Sequence, residues 1–258
     1  NKGCRKFIIG IGGSATNDGG VGMLQALGYE FLDAEGRQVP FGAIGLKNLS
    51  SISDVNALPE LQECEFRVAC DVSNILCGPE GCSSVFGPQK GAAPDMIRDM
   101  DQWLMNYASL TAKIKPLSDA KKSGTGAAGG LGFAFLSFLN AVLEPGIDIV
   151  LKEIDLESHM PEADVVITGE GRLDSQTVMG KAPIGVAGVA AKYRKPVIAF
   201  SGMVTEDAGI CNAHGINAFF PILRRVVTLK EAMDTTISRK NMVDTVEQAF
   251  RLIKIFVD

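Results

Sequence analysis

The sequence lacks the features that would place it at once in several functional classes. No apolar run among its 258 residues is long enough to span a bilayer, and no signal peptide is evident. Its six cysteines follow no zinc-binding spacing, and several lie in apolar runs typical of buried thiols in a reducing compartment. The net charge of -5 argues against nucleic acid as the main partner. We therefore expect a cytoplasmic protein with neither a membrane nor a nucleic-acid partner.

Aromatic residues are also few, and the single tryptophan, Trp103, is expected to pack against other side chains rather than stack on a base. Hydrophobic residues nevertheless make up 46% of the chain, so a sizeable core is available. The length suits one large domain or two ordinary ones. The chain opens at Asn1 rather than at methionine, and we expect further sequence upstream.

The stretch Asp164–Ala187 is the richest in charged and hydroxyl side chains. Val165–Ile167 is predicted to be a buried strand of a parallel sheet, and Ala182–Ala191 a helix with Pro183 in its first turn. The loop between them holds two carboxylates, two cations and two hydroxyls, namely Glu170, Arg172, Asp174, Ser175, Thr177 and Lys181. A loop between a strand and a helix is where such sheets bind ligands. The alternative is a solvated loop with surface ion pairs.

A second candidate site follows the predicted strand Phe7–Ile11. Residues 12–20 form a glycine-rich loop, and a helix is predicted from Val21 to Leu27. We interpret the loop as a nest of backbone amides for phosphate or carboxylate, with extra donors from Ser14, Thr16 and Asn17. Residues 10–15 also match a loose dinucleotide-binding pattern, but that signal is weak. A tight turn without a ligand is the remaining alternative.

The middle of the chain offers two further candidate segments. Phe66–Val72 is a predicted strand with Asp71 near its end, and the long loop 73–93 contains Lys90. This lysine either presents its ammonium to an anion or is an ordinary surface residue. Gly124–Gly132 precedes a predicted apolar helix, and it either receives phosphate or lets that helix approach its neighbours closely.

The remaining elements indicate an α/β fold. The first part of the chain is predicted to contain a hairpin over Tyr29–Val39, irregular structure over Gly42–Asp54, and helices over Pro94–Lys113, Leu131–Leu143 and Pro145–Leu156. The last part alternates strands at Val165–Ile167, Val197–Phe200 and Ala218–Phe220 with helices near Ala182–Lys192, Asp207–His214, Thr228–Thr235 and Asn241–Val257. Such alternation predicts a doubly wound parallel sheet. Three strands are few for a sheet covered on both faces, so we expect others from sequence before Asn1.

With these loops in view, the sequence resembles glycerate kinases of the bacterial type I family. The matching stretches are IGIGGSATNDGGVGMLQALG (9–28), ACDVSNILCGPEG (69–81), VFGPQKGA (85–92), GTGAAGGLG (124–132), PGIDIV (145–150) and ITGEGRLDSQTVMGKAPIGVA (167–187). These motifs are long and specific, and the resemblance covers the whole chain. One departure matters: an opening strand and loop resembling IAPDSFK, with the acidic glycine-rich loop that follows it in the family, is absent.

The resemblance implies a two-domain α/β enzyme. A flavodoxin-like (Rossmann-like) parallel-sheet domain would be built from the absent N-terminal sequence together with residues 161–258, and residues 1–160 would form an inserted mixed α/β domain. The implied activity is ATP-dependent phosphorylation of D-glycerate, with 2-phosphoglycerate the favoured product. ATP and Mg²⁺ are the implied cofactors, and the chain without the family's opening segment is expected to be an incomplete catalyst.

Site roles follow from what phosphoryl transfer needs, which is positioning and charge neutralisation. No Walker A motif is present around Gly180-Lys181, so other loops must bind the phosphates. The groups assigned to substrate or phosphate are Gly13, Ser14, Thr16, Asn17, Lys90, Arg172, Ser175 and Thr177, with Arg172 suited to the carboxylate of glycerate. Those assigned to catalysis are Lys181, near phosphate, and Asp18 or Asp71 as the base. Glu170 and Asp174 are the candidate Mg²⁺ ligands.

Two other classes stay open on the sequence alone. The first is a dinucleotide-binding oxidoreductase that uses residues 10–15. The second is a domain that binds glycerate or phosphate without turnover. A homodimer is compatible with the sequence, which does not decide the oligomeric state.

Overall fold

The computed structural model describes residues 2–255, which form a mixed α/β structure with parallel sheets. The chain divides into two compact units, Asn1–Ile149 and Val150–Asp258. We call them the first and the second unit and describe each by itself. The predicted domain limit between residues 160 and 161 stays a prediction.

The first unit contains a parallel sheet of three strands and a two-stranded antiparallel ribbon. Its strands are β1 (Lys6–Gly10), β2 (Glu30–Leu32), β3 (Ser51–Ser53), β4 (Glu65–Ala69) and β5 (Val142–Glu144). The parallel sheet has the order β1-β4-β5, with Gly10 opposite Ala69 and Ala69 opposite Glu144. The carboxyl ends of all three strands therefore meet at one edge of the sheet.

Helices of the first unit pack around this sheet and supply nearly half of its buried core residues. They are α1 (Val21–Ala26), α2 (Cys82–Phe86), α3 (Pro94–Ile114), α4 (Ala127–Phe138) and α5 (Gly146–Glu153), which continues past residue 149. Tyr107 is fully buried and lies edge-on to Phe133, with ring centroids 5.3 Å apart. Trp103 packs against the same core, as expected. The predicted helix over Pro94–Lys113 is confirmed.

Several predictions for the first unit are wrong in detail. Strand β2 pairs with β3 rather than forming a regular hairpin, although Leu32 and Gln38 make an isolated bridge around the predicted turn. The supposedly irregular segment 42–54 contains a 3-10 helix, Ala43–Asn48, as well as β3. The long loop 73–93 contains α2 and a 3-10 turn. The apolar segment after Gly130 does not stay helical to Leu143, because its end enters the sheet as β5.

The two glycine-rich loops of the first unit pack backbone against backbone. Gly129 has a φ of 69°, and a Cβ atom there would lie 2.1 Å from the carbonyl oxygen of Thr16. The amide of Gly19 donates to the carbonyl oxygen of Gly129 at 2.9 Å. Of the two roles considered for Gly124–Gly132, these contacts support close approach of the helix to its neighbours.

The second unit is a regular three-layer arrangement around a parallel sheet. Its strands are β6 (Val166–Leu173), β7 (Val197–Val204) and β8 (Ala218–Pro221), in the order β6-β7-β8. Its helices are α6 (Leu156–His159), α7 (Ala182–Lys192), α8 (Ile210–Ala213), α9 (Leu229–Ala232) and α10 (Thr235–Lys254). The three predicted strands and helix α7 are confirmed. The predicted end of the last helix at Val257 lies outside the described residues.

Strand β6 is longer than its apolar run predicts. The strand continues through Gly169, Glu170, Gly171 and Arg172, and Glu170 lies opposite Ser201 of β7. The polar loop therefore begins at Asp174, and Glu170 and Arg172 are strand residues. Among residues 2–255, none of the helices combines the length and the apolar character needed to cross a bilayer.

Candidate functional sites in the two units

In the first unit, the candidate residues lie where the parallel strands end. The glycine-rich loop 12–20 leaves β1, Asp71 follows β4, and α5 begins at Gly146 just after β5. The carboxylate of Asp71 accepts a hydrogen bond from the amide of Gly146, with 2.9 Å between Oδ1 and N. The Gly146 amide at the start of α5 thus orients Asp71, whose side chain stays exposed at this edge of the sheet.

The backbone amides of residues 13–17 are available for a ligand. Within the described part of the chain, none of these five consecutive amides donates a hydrogen bond to another residue. Gly13 has a φ of 72°, a left-handed conformation that glycine adopts without strain. A run of unpaired amides on a glycine-rich turn is the geometry that binds phosphate or carboxylate oxygens.

Lys90 adds a positive charge to this amide loop. Its Nζ donates to the carbonyl oxygen of Thr16 at 2.7 Å and to Oγ of Ser14 at 3.0 Å. Both partners are uncharged, and none of the described carboxylates forms an ion pair with Lys90. Burial lowers the pKa of the Lys90 ammonium from its ordinary value. The site therefore holds a partly desolvated cation that no carboxylate of the described residues contacts directly, although Asp18 is close enough to favour its charged form.

Two cavities meet at Lys90. The first, which we call the Asp71 cavity, has a volume of about 210 Å³ and is lined by Gly13, Ser14, Asp71 and Lys90 among others. The second, which we call the Met100 cavity, has a volume of about 280 Å³. It is lined on its polar side by Thr16, Asn17 and Lys90 and on its apolar side by Ala43, Ala92, Met96 and Met100. Both lie wholly in the first unit.

Asn17 and Asp18 lie deeper than the rest of the loop. Asp18 is 8% exposed, and its two oxygens accept hydrogen bonds from the amides of Gly20 at 3.1 Å and Gly22 at 3.3 Å. It thus satisfies amides at the start of α1, a structural role. Asn17 is 7% exposed and donates from Nδ2 to Oγ of Ser83 at 2.8 Å. Its Oδ1 is buried and has no hydrogen-bond partner among the described residues.

In the second unit, the candidate charges form one network. Nζ of Lys181 lies 3.6 Å from Oε2 of Glu170 and 3.4 Å from Oδ1 of Asp174. Nε of Arg172 lies 3.0 Å from Oδ2 of Asp174. The two carboxylates are largely buried, whereas the side chain of Arg172 is 60% exposed. Two positive and two negative charges therefore balance, and Arg172 presents the accessible one.

Hydrogen bonds hold the loop that carries this network. The Thr177 hydroxyl, which is fully buried, donates to Oε1 of Glu170 at 2.5 Å and accepts from the Asp174 amide at 3.1 Å. The amide of the exposed Ser175 donates to Oδ2 of Asp207 at 3.2 Å. Hydrogen bonds from Ser175 and Thr205 lower the pKa of Asp207 to about 2. Thr177 and Asp207 thus fix the loop in place.

The donor set for a metal ion is limited to two carboxylates. No cluster of three or more histidine, cysteine, aspartate or glutamate side chains that could hold a metal occurs in residues 2–255. Mg²⁺ needs only one or two protein carboxylates when phosphates and waters complete its shell. Glu170 on β6 and Asp174 at the start of the loop both lie within 3.6 Å of the Lys181 ammonium, so two carboxylates converge on one cation. The type and number of these donors fit Mg²⁺.

Comparison with known proteins identifies the family. A family model described as the glycerate kinase family matches residues 1–254. The chain belongs to the glycerate kinase family. The resemblance drawn from the sequence motifs is thereby confirmed.

The relatives of this glycerate kinase family member come from several bacteria. Glycerate 2-kinase of Escherichia coli (strain K12) is 50% identical over 231 residues, which are 89% of this chain and 60% of that protein. Glycerate kinase of Haemophilus influenzae is 44% identical over 251 residues, 97% of this chain and 66% of that protein. The solved structure of a candidate glycerate kinase 2 from Salmonella typhimurium LT2 is 45% identical, with a TM-score of 0.81, and the match covers 96% of this chain and 66% of that one.

Sequence reasoning missed some residues that shape this family member's candidate sites. Asp207 lies 33 positions beyond Asp174 in sequence, and only the parallel pairing of β6 with β7 brings its segment to the loop. The contact between the Gly146 amide and Asp71 could not be predicted for the same reason, since it also depends on the pairing of distant strands. The motif PGIDIV at residues 145–150, which contains Gly146, was the sequence feature that could have pointed to it. Ser83, the partner of Asn17, gave no signal because it lies in a segment interpreted as loop.

Proposed function

We propose that this chain takes part in ATP-dependent phosphorylation of D-glycerate, with 2-phosphoglycerate as the favoured product. The chain spans 60–66% of the length of the relatives cited above, so the activity of the whole protein is inferred from them. The observation that carries the proposal is the loop of unpaired amides at residues 13–17 beside the ammonium of Lys90, which no carboxylate of the described residues contacts. Phosphoryl transfer depends on this kind of charge neutralisation.

In the first unit, we assign the phosphates of the donor to the amide loop. Gly13, Ser14, Thr16 and Asn17 supply the loop, and Lys90 supplies the positive charge. Asp71 is preferred to Asp18 as the base that accepts the proton of the acceptor hydroxyl. Asp71 is exposed, lines a cavity with Lys90 and keeps one oxygen without a protein donor among the described residues, whereas both oxygens of Asp18 accept amides at the start of α1.

In the second unit, we assign Arg172 to the glycerate carboxylate and Lys181 to phosphate. Nε of Arg172 is held by Asp174, which leaves the terminal amino groups of the guanidinium to form a fork for a carboxylate. Ser175 is exposed at the same loop and can add its hydroxyl to the ligand. The buried hydroxyl of Thr177 already bonds Glu170, so Thr177 contributes by positioning rather than by contact.

Mg²⁺ would be held by Glu170 and Asp174, and when bound it would neutralise charge on the phosphates. Lys181 contacts both carboxylates, so it would have to release at least one of them to the ion. The flavodoxin-like nature of the second unit, a cytoplasmic location and a homodimer are further parts of the proposal. Three parallel strands with helices around them support the first of these.

The test is direct measurement of the product. The protein is incubated with ATP, Mg²⁺ and D-glycerate, and the product is examined by proton-coupled ³¹P nuclear magnetic resonance. A phosphate on the 2-oxygen couples to a single carbon-bound proton and gives a doublet, whereas a phosphate on the 3-oxygen couples to two and gives a triplet. A doublet that depends on glycerate supports the proposal. A triplet would overturn the choice of hydroxyl, and ATP consumption independent of glycerate would overturn the substrate.

The dinucleotide alternative is not favoured by the structure. A dinucleotide fold places a helix N-terminus directly at the glycine pattern, but α1 begins only at Val21, six residues after residue 15 of that pattern. A titration with NAD beside ATP separates the two functions. A domain that binds ligand without turnover is distinguished by binding of ATP together with absence of a phosphorylated product.

A further inference from the structure

We propose that the Met100 cavity binds the nucleobase of the phosphoryl donor. This inference rests on the proposed function, because it assigns one part of the ATP molecule within the same site. The amide loop at residues 13–17 and Lys90 separate this cavity from the Asp71 cavity. A nucleotide whose phosphates lie on the loop could therefore extend its base into either cavity, and the contents of the two cavities decide between them.

The charged residues that line the two cavities indicate that each cavity binds a different part of the reactants. Asp71 lines its own cavity and can accept a proton from the acceptor hydroxyl there. The described residues around the Met100 cavity include Lys90 but no carboxylate, so no group there can act as such a base. The reacting hydroxyl belongs in the Asp71 cavity, which leaves the Met100 cavity for the part of the donor that does not react.

The size and apolar lining of the Met100 cavity suit an aromatic base. Its volume of about 280 Å³ lies just below the range of about 300–1,000 Å³ found for drug-sized ligands. The cavity can thus hold a fragment such as a base rather than a whole nucleotide. Met96 and Met100 line it, and thioether sulfurs make favourable contacts with aromatic rings. Ala43 and Ala92 leave room opposite them.

Asn17 offers a separate argument, because its side chain has a hydrogen-bond acceptor that could bind the polar edge of a base. Its side chain lines the cavity and is 93% buried, since only 7% is exposed. One end of its amide is engaged with Ser83, whereas Oδ1 has no partner among the described residues. A buried acceptor without a donor is costly. Because Oδ1 itself has almost no accessible surface, the exocyclic amine of adenine, a donor of the right kind, would satisfy it only after the Asn17 side chain turned toward the cavity.

The experiment compares a ligand that has a base with one that lacks it. ATP and inorganic tripolyphosphate are titrated calorimetrically into the chain and into Ala92→Phe, which fills the cavity with an aromatic side chain. We expect Ala92→Phe to weaken ATP binding at least tenfold and to change tripolyphosphate binding less than twofold. Met96→Ala removes one thioether from an exposed side chain, and we expect it to weaken ATP binding about three- to tenfold. Met105→Ala, on the same helix but outside the cavity, is the matched control.

Each outcome decides the matter. If ATP binding is unchanged in Met96→Ala and Ala92→Phe while both ligands bind the unsubstituted chain, the base lies elsewhere and the proposed kinase function is untouched. The assignment is also overturned if Ala92→Phe weakens the binding of ATP and of tripolyphosphate equally and Met96→Ala weakens neither. In that case the substitution has disturbed only the loop that binds phosphate. If neither ligand binds the unsubstituted chain, the phosphate assignment of the proposed function falls, and the base assignment with it.

Discussion

Replacing Lys90 by methionine removes the positive charge that lies against the amide loop. Methionine keeps an apolar stem of similar length, so the packing of the loop is largely preserved. A hydrogen bond to a charged group contributes about 1.5–3 kcal/mol, and each 1.4 kcal/mol is about tenfold in affinity. Lys90 is half-buried and partly screened by solvent, so the lower part of that range applies. We expect Lys90→Met to weaken tripolyphosphate binding about 10- to 30-fold.

The assay is calorimetric titration of tripolyphosphate at low and at physiological ionic strength. Lys121→Met serves as the control, because Lys121 is an exposed lysine that lines neither cavity. Salt should weaken binding to the unsubstituted chain more than binding to Lys90→Met, since one charge–charge contact is missing from the variant. An affinity of Lys90→Met equal to that of the Lys121→Met control would refute the role of this ammonium.

The pH dependence of tripolyphosphate binding is an independent test of the role of Lys90. Burial lowers the pKa of Lys90 in the folded protein, so the folded state loses this proton at a lower pH than the unfolded chain does. Protonated Lys90 therefore costs stability in full below that lowered pKa, and the cost shrinks as the pH rises from there to the ordinary lysine pKa of the unfolded chain. A bound polyanion favours the charged form and raises the pKa again. Tripolyphosphate affinity should thus decline as the pH passes the pKa of Lys90 in the free protein, and Lys90→Met should lack this decline.

Four further predictions concern single residues of both units. Arg172→Lys should lower kcat/KM for glycerate at least tenfold in an active preparation, because lysine cannot bond Asp174 and a carboxylate fork together; wild-type kinetics would contradict this. Asp174→Asn should raise the Mg²⁺ concentration needed for half-maximal rate. Asp207→Asn should lower the melting temperature above pH 3.8 but not near pH 2, since the stabilisation from its lowered pKa of about 2 is lost over that interval. Gly129→Ala should destabilise by more than about 1 kcal/mol, measured by urea unfolding against Gly13→Ala, which shares the positive φ but has open space around it.

The elements that the sequence predicts well are those whose pattern is local. Helix α3 shows an apolar stripe with proline in its first turn, and the structure has it at Pro94–Ile114. Helix α7 likewise begins after a lysine with Pro183 in its first turn. The loop of residues 12–20 was recognised because its glycines and small polar residues directly follow a strand. In each case the physical cause lies within a few residues of the element itself.

The errors occur where distant backbone decides the structure. Gly169 and Gly171 lie in the segment expected to be loop, since the predicted strand ended at Ile167 and glycine usually weakens a strand. In the fold, a Cβ at Gly169 would lie 2.2 Å from the carbonyl oxygen of Phe200, so the neighbouring strand needs glycine there. Strand β5 was missed for a related reason: Val142–Glu144 is three residues long, and only its pairing with Arg67–Ala69 defines it. Neither the extension of β6 through its glycines nor the short strand β5 can be predicted without knowledge of the strand that pairs with it.

The two units differ in how they hold charge, and this difference assigns them different contributions to binding. In the first unit, Lys90 and the loop amides present positive potential with no carboxylate in contact, so an anion that binds displaces only water. In the second unit, Glu170, Asp174, Arg172 and Lys181 already neutralise one another. A ligand there must replace an existing partner, and its net gain is the difference between two ion pairs. A wrong ligand gains nothing from that exchange, whereas a carboxylate of the right geometry does. We therefore expect the first unit to supply most of the affinity for phosphate and the second to discriminate among acceptors.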